Sequence, residues 1–82
     1  MAKAFHLTIA KVGENLFDGE AVSVTVPGAE GVLTVLANHE AFVTPLKQGT
    51  ISVESVDGTK QEFELPESGI LEVSNNQATV IL

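Results

Sequence analysis

The chain has no cysteine, no arginine, no tryptophan and no tyrosine among its 82 residues. Without cysteine there is no disulfide framework, no thiolate zinc site and no thiol nucleophile. A domain this small that does without covalent staples fits a reducing compartment or a larger assembly. Four lysines (Lys3, Lys11, Lys47, Lys60) face 11 carboxylates, for a net charge of −7. A nucleic-acid binder needs a basic stripe to displace counterions, and arginine is the side chain that grips phosphate with two parallel bonds. DNA, RNA and nucleotide binding are therefore not expected. Nor is carbohydrate stacking, which calls for exposed Trp or Tyr. No apolar run approaches the ~20 residues that span a bilayer. The start of the chain, Met1 to His6, has neither the apolar core of a secretory signal nor the Arg-rich character of a transit peptide, so a soluble, unprocessed polypeptide is expected.

What is present is β-forming sequence. Hydrophobic residues make up 44% of the chain and valine alone occurs 11 times, enough to build a packed domain on pleated, half-buried surfaces. The dominant period is two. It predicts strands over Phe5–Val12, with Phe5, Leu7 and Ile9 on one side, and over Ala21–Val26, with Val22, Val24 and Val26 on one side and Ser23 and Thr25 on the other. Between them, Gly13-Glu14-Asn15 and Asp18-Gly19 read as turns around a short Leu16-Phe17 strand, and Pro27-Gly28 reads as a stop. Gly31–Leu36 is nearly all apolar, as for a strand covered on both faces. Ala41–Leu46 carries Pro45, which points to an edge or a bulge. Ile51–Val56 and Lys60–Leu65 flank Asp57-Gly58, the signature of a two-residue hairpin turn, and a last pair, Ile70–Ser74 and Gln77–Leu82, flanks Asn75-Asn76. No stretch of ten residues has a 3.6-residue apolar period. The expectation is one all-β domain over residues 1–82, a two-sheet sandwich or flattened barrel of about ten short strands.

Chemistry is hard to find in this pattern. His6 and His39 are the only histidines, and loosely spaced histidines without cysteine are read as structural or interfacial, not as metal ligands. Glu62 and Glu64 share one side of a strand and are read as a solvated outer surface that keeps an edge from aggregating. Gly28-Ala29-Glu30-Gly31 lacks the lysine and hydroxyl of a phosphate loop, and no serine stands in a Gly-x-Ser-x-Gly setting. Phe42 reads either as a core ring or as an exposed anchor beside the polar Ala37–Glu40 loop. No catalytic residue, metal site or cofactor is expected.

The order of short motifs is more specific. Phe17-x-Gly19 precedes a Val-x-Val strand that enters Val26-Pro27-Gly28-Ala29-Glu30-Gly31. Then follow Leu33-Thr34-Val35-Leu36-x-x-His39, Leu46-x-x-Gly49, Gly69-Ile70-Leu71-Glu72-Val73, and Asn75-Asn76-x-x-Thr79-Val80. This series, in order over almost the whole chain, resembles the N-terminal β-sandwich domain of the ATP synthase epsilon subunit. The resemblance implies a ten-stranded sandwich with no chemistry of its own. It implies a rotor component of the central stalk that packs on the gamma subunit and touches the loops of the membrane c-ring. Location follows: peripheral, at the cytoplasmic face of a bacterial inner membrane or the stromal side of a thylakoid. Glu30 and Val32 stand where family members turn toward the ring and gamma. His39 and Thr44 match positions facing gamma, with Glu40 and Phe42 beside them as further expected contacts.

The chain departs from the family pattern at several points. Val32 replaces an acidic residue, Ala37-Asn38-His39-Glu40-Ala41 replaces Pro-Gly-His-x-Pro, and Ser68-Gly69 replaces a Gly-Gly pair. Family chains continue into a helical hairpin that can restrain hydrolysis and in some members binds ATP, so the sequence ending at Leu82 is expected to carry neither function. Two rival readings remain from the residues alone: a free-standing β-sandwich module binding protein or carbohydrate, and a small hydrolase or isomerase on a barrel scaffold.

Overall fold

The computed structural model describes residues 3–82 and contains eight strands. They are β1 (Phe5–Lys11), β2 (Glu14–Gly28), β3 (Gly31–Leu36), β4 (Phe42–Leu46), β5 (Gly49–Ser55), β6 (Lys60–Leu65), β7 (Gly69–Ser74) and β8 (Gln77–Ile81). Two layers share β2. In the first, β4, β7, β8, β1 and the N-terminal half of β2 lie side by side; in the second, the C-terminal half of β2 is flanked by β3 and β5, with β6 beyond β5. All pairings are antiparallel except β1 with β8, which sets Leu7 beside Ala78 and Ile9 beside Val80. A single bridge from Gly28 to Leu46 joins β2 to β4 and closes the layers into a flattened ring. The all-β sandwich class is as expected, with eight strands in place of about ten.

The difference in count comes from β2. Asp18-Gly19 is not a turn, and Pro27-Gly28 does not stop the strand; 15 residues run through both. Tertiary pairing overrides local turn chemistry here, because Asp18 and Gly19 lie opposite Thr8 and Leu7 in the β1 ladder. Two irregularities lie along this strand, one at Leu16, opposite the step from Ile9 to Ala10 of β1, and one between Ala21 and Ser23, where the strand passes from the first layer into the second. The second resets the inward phase. Ala21 and Val24 are both fully buried while Val22 is only half-buried, so the single dry face read from Val22, Val24 and Val26 begins at Val24.

The turns divide in the same way. Asn75 and Asn76 both take positive φ, 52° and 58°, between Ser74 and Gln77, the two-residue geometry that matches strand twist. Asp57-Gly58 is different. The Gly58 amide donates to the Ser55 carbonyl at 3.0 Å and the Ser55 amide to the Thr59 carbonyl at 2.8 Å, which makes a three-residue loop with Gly58 alone at positive φ (89°). The Thr59 amide also donates to the Asp57 carboxylate at 2.9 Å, and this bond holds the Asp57 carboxyl below its ordinary range.

Between the layers lies an apolar core with no buried polar residue among those described. Phe5, Leu7 and Ile9 of β1 meet Val24 and Val26 of β2, Ile51 and Val53 of β5, and Leu71, Val73 and Val80 of β7 and β8. Each fully buried large side chain contributes about 1.5–3 kcal/mol, which a chain this short needs.

Candidate protein-docking surfaces

The expected site residues fall into two groups. Glu30, Val32 and Thr44 line one open concavity of about 430 Å³ with Gly28, Leu33 and Pro45. It forms because the β2–β3 turn lies against the end of β4, where the Ala29 amide donates to the Pro45 carbonyl at 3.0 Å and the Lys47 amide to the Pro27 carbonyl at 2.9 Å. Glu30 is exposed at the tip, and Val32 is 73% exposed just behind it.

The second group, His39, Glu40 and Phe42, occupies the β3–β4 connection. The His39 and Phe42 rings are tilted at 49° with centroids 4.8 Å apart, and His39 Nδ1 lies 3.0 Å from the Glu40 carbonyl oxygen, to which it donates. Phe42 is half-buried against the core, so it is a core-flanking ring that supports the exposed His39. The loop is fixed at its start. Asn38 takes φ 64°, and its amide donates to Asn76 Oδ1 at 2.7 Å.

Sequence reasoning missed a further surface. On the outer side of the first layer, Pro45 of β4 lies opposite Ile70 of β7, Ile70 opposite Ile81 of β8, and Ile81 opposite Ala10 of β1. Val43 stands one row away. Ile70, Ile81 and Val43 are 50%, 55% and 64% exposed, so the four strands present an apolar band to solvent. The signal was present but ambiguous: β4 and β8 carry apolar residues on both sides, and alternation alone does not say which side is outside. Along the same face the rows become polar, through Glu72, Thr79 and Thr8 to Ser74, Gln77 and His6.

His6 ends this gradient. Its Nε2 lies 2.5 Å from Asp18 Oδ1 and its Nδ1 3.2 Å from Glu20 Oε2, so both ring nitrogens donate to carboxylates of the neighbouring strand. The Asp18 bond first and the Glu20 bond second raise the imidazole above its ordinary pKa of 6.5. The carboxylates sit on different nitrogens, so their oxygens do not converge with the ring on one point. Among the described residues no group of three or more His, Asp or Glu side chains is arranged to hold a metal ion.

Two further expectations change. Gly31–Leu36 is not covered on both faces: Val32 and Leu36 (57% exposed) point to solvent, and among the described residues β3 pairs only with β2. Pro45 does lie in a strand with a largely open edge, since β4 borders β2 only near Leu46. Glu62 and Glu64 are both exposed on β6, and the Thr50 hydroxyl donates to the Glu64 carboxylate at 3.0 Å.

The fold and motifs together match a known family. A family model described as ATP synthase, Delta/Epsilon chain, beta-sandwich domain covers residues 4–82. The chain belongs to this family. Curated relatives include the ATP synthase epsilon chain of Delftia acidovorans, 37% identical over 76 residues that make up 93% of this chain and 54% of the relative. The epsilon chain of Campylobacter hominis is 35% identical over 81 residues, 99% of this chain and 62% of that one. Among solved structures, a chain of the Euglena gracilis mitochondrial ATP synthase OSCP/F1/c-ring assembly superposes with a TM-score of 0.86 at 25% identity, over 99% of this chain and 52% of that chain. A chain from the Tetrahymena thermophila mitochondrial central stalk and c-ring shares the fold, with a TM-score of 0.76 at 14% identity over 98% of this chain and 63% of that one. The chain thus spans between about half and three-fifths of the length of these epsilon-type relatives.

Proposed function

We propose that this epsilon-type sandwich is a non-catalytic part of the central stalk of an ATP synthase. It packs on the gamma subunit through the apolar band of Val43, Pro45, Ile70 and Ile81, with the Glu30–Val32 turn directed to the rotor ring. Its location in this reading is peripheral, on the face of the coupling membrane that carries the catalytic head. The observation that carries the reading is the band itself. A family whose relatives include chains named as ATP synthase epsilon supplies the fold, and on that fold three aliphatic side chains at least half exposed lie on adjacent strands, where a solitary domain would place polar ones. His39 and Glu40 extend the contact, held by Phe42, and Thr44 lies behind the band against the concavity of Glu30 and Val32. A closed sandwich suits a rotor part because its two layers move as one body, joined by β2 through both.

The test is co-purification with the cognate gamma subunit on size exclusion, followed by titration. Ile70→Lys and Ile81→Lys replace exposed residues, so the fold is retained while gamma affinity falls about tenfold or more for each. Unchanged affinity in the double variant would remove the band from the interface. Unchanged affinity after alanine at both His39 and Phe42 would remove the β3–β4 connection.

A further inference from the structure

β3 is the weakly guarded edge of this sandwich. The other outer strand of the second layer, β6, reads Lys-Gln-Glu-Phe-Glu-Leu and has charged or polar side chains at every outward position. β3 reads Gly-Val-Leu-Thr-Val-Leu, with no charge, no proline and no bulge, and among the described residues it bonds to β2 on one side only. Natural sheets protect such edges with charge or cover, and an uncovered uncharged edge is a template for another strand. The inward side chains are satisfied, since Val35 is buried and Leu33 packs on the core. Val32, Thr34 and Leu36 are exposed on the outer face.

We propose that β3 pairs with β3 of a second copy of this chain, antiparallel about a two-fold axis through Thr34. Continuing the sheet across a dyad keeps outer faces together, so each residue must meet one of the same face. The register through Thr34 meets that condition. It sets Thr34 against its own copy, Val32 against Leu36 of the other chain, and Leu33 against Val35. The two exposed aliphatic residues of the strand cover each other. The register is also the one that charge permits: Glu30 falls opposite Asn38 of the second copy, next to His39, and no carboxylate faces another across the pair. Lys3, which lines a small groove with Val22, Leu36 and Ala37, adds a cation at the same end. Self-pairing of β6 would instead oppose Glu62 and Glu64. Six residues a side form a small interface, and each copy carries a net charge of −7, so the dimer is weak and strengthens with salt. Glu30 and Val32 are also the residues proposed to face the rotor ring, and so the dimer and the stalk-bound form exclude each other.

The absence of native cysteine makes the test clean. In Thr34→Cys the new thiols face each other across the dyad, at the close Cα spacing of an antiparallel pair that a disulfide can bridge. Mild oxidation is expected to yield a cross-linked dimer from Thr34→Cys well before Val43→Cys, whose thiol sits in the apolar band of the other layer. Sedimentation at roughly 1 mM is expected to show a dimer that dissociates on dilution and is lost in Thr34→Lys, where two cations would meet, with the circular dichroism of the fold retained. A chain that stays monomeric at that concentration overturns the proposal, as it would if β3 accepted only a strand from a different polypeptide. Faster cross-linking of Val43→Cys, or a dimer abolished by Ile81→Lys but not by Thr34→Lys, overturns it in favour of the apolar band.

Discussion

The amide of Asn38 donates to Asn76 Oδ1 at 2.7 Å, which ties the β3–β4 connection to the β7–β8 turn 38 residues further along the chain. Asn76 makes two more bonds around the same point. Its Nδ2 donates to the Ala4 carbonyl at 2.9 Å, and its own carbonyl accepts the His6 amide at 3.2 Å. The side chain thus ties the β7–β8 turn to the β3–β4 connection and to Ala4, and the backbone carbonyl adds the bond to His6, at the end of the sandwich that presents His39. Both asparagines hold positive φ, a conformation that Asn tolerates better than any other residue with a Cβ. Asn38, at φ 64°, occupies a backbone region natural for glycine.

Asn76→Gly keeps the backbone freedom and removes the clamp, so denaturant unfolding is expected to show a loss of about 1–2 kcal/mol. Asn76→Ala removes both, and about 1 kcal/mol more is expected from the left-handed backbone. Equal stability of the two variants would show that the clamp alone matters.

Stability should fall as pH rises because of His6. Its folded pKa lies above the ordinary 6.5 through bonds to Asp18 and Glu20. A group raised on folding contributes stability that is fully present below the unfolded value and is lost as pH climbs through the folded one. Melting temperature is therefore expected to decline from pH 6 toward pH 8, and His6→Gln should flatten that part of the profile. The His6 side chain is 43% exposed and its carboxylate partners more so, so salt should weaken the effect. An imidazole titration followed by NMR that gives a midpoint at or below 6.5 would contradict the assignment.

Two motif glycines are required for close approach. A Cβ at Gly28 would stand 2.6 Å from the Gly31 carbonyl oxygen, and one at Gly69 would stand 2.7 Å from the Ile81 carbonyl oxygen. Backbone cannot yield as a flexible side chain can, so Gly28→Ala and Gly69→Ala are each expected to cost about 1–3 kcal/mol in unfolding experiments. Gly19→Ala, whose nearest neighbour is a Phe17 ring atom at 3.8 Å, should be far milder.

Leu7→Ala should be close to unfolding the domain. Leu7 is fully buried at the middle of β1, between Ala78 of β8 and Gly19 of β2. The expected loss of about 2–5 kcal/mol is comparable to the whole stability of a sandwich this small. Val12→Ala, at a position 99% exposed, should leave the denaturation midpoint unchanged.

Local pattern and non-local pairing contributed different parts of this structure. Alternation of Phe5, Leu7 and Ile9 against His6, Thr8 and Ala10 marked β1 and its buried side, and Asn75-Asn76 marked a turn, because both are set by residues adjacent in the chain. The motif order from Phe17 to Val80 carried the family. Asp18-Gly19 looked like a turn because the pairing with Thr8 and Leu7 that holds it extended comes from another strand. Ala21 and Val24 share the core because a bulge adds one residue between them, and no periodicity shows where a partner will impose one.

The sequence by itself determined the class of fold, the family and the absence of arginine and cysteine chemistry, since these follow from composition and from contacts within a few residues. Only the tertiary structure decided which apolar residues stay outside. Ile70, Ile81 and Val43 become an exposed apolar band, and β3 becomes an open edge among the described residues, through which strands lie next to which. The reason is physical: hydrophobicity tells a side chain to leave water, whereas the supply of neighbours that lets it do so is set by the ring of strands as a whole.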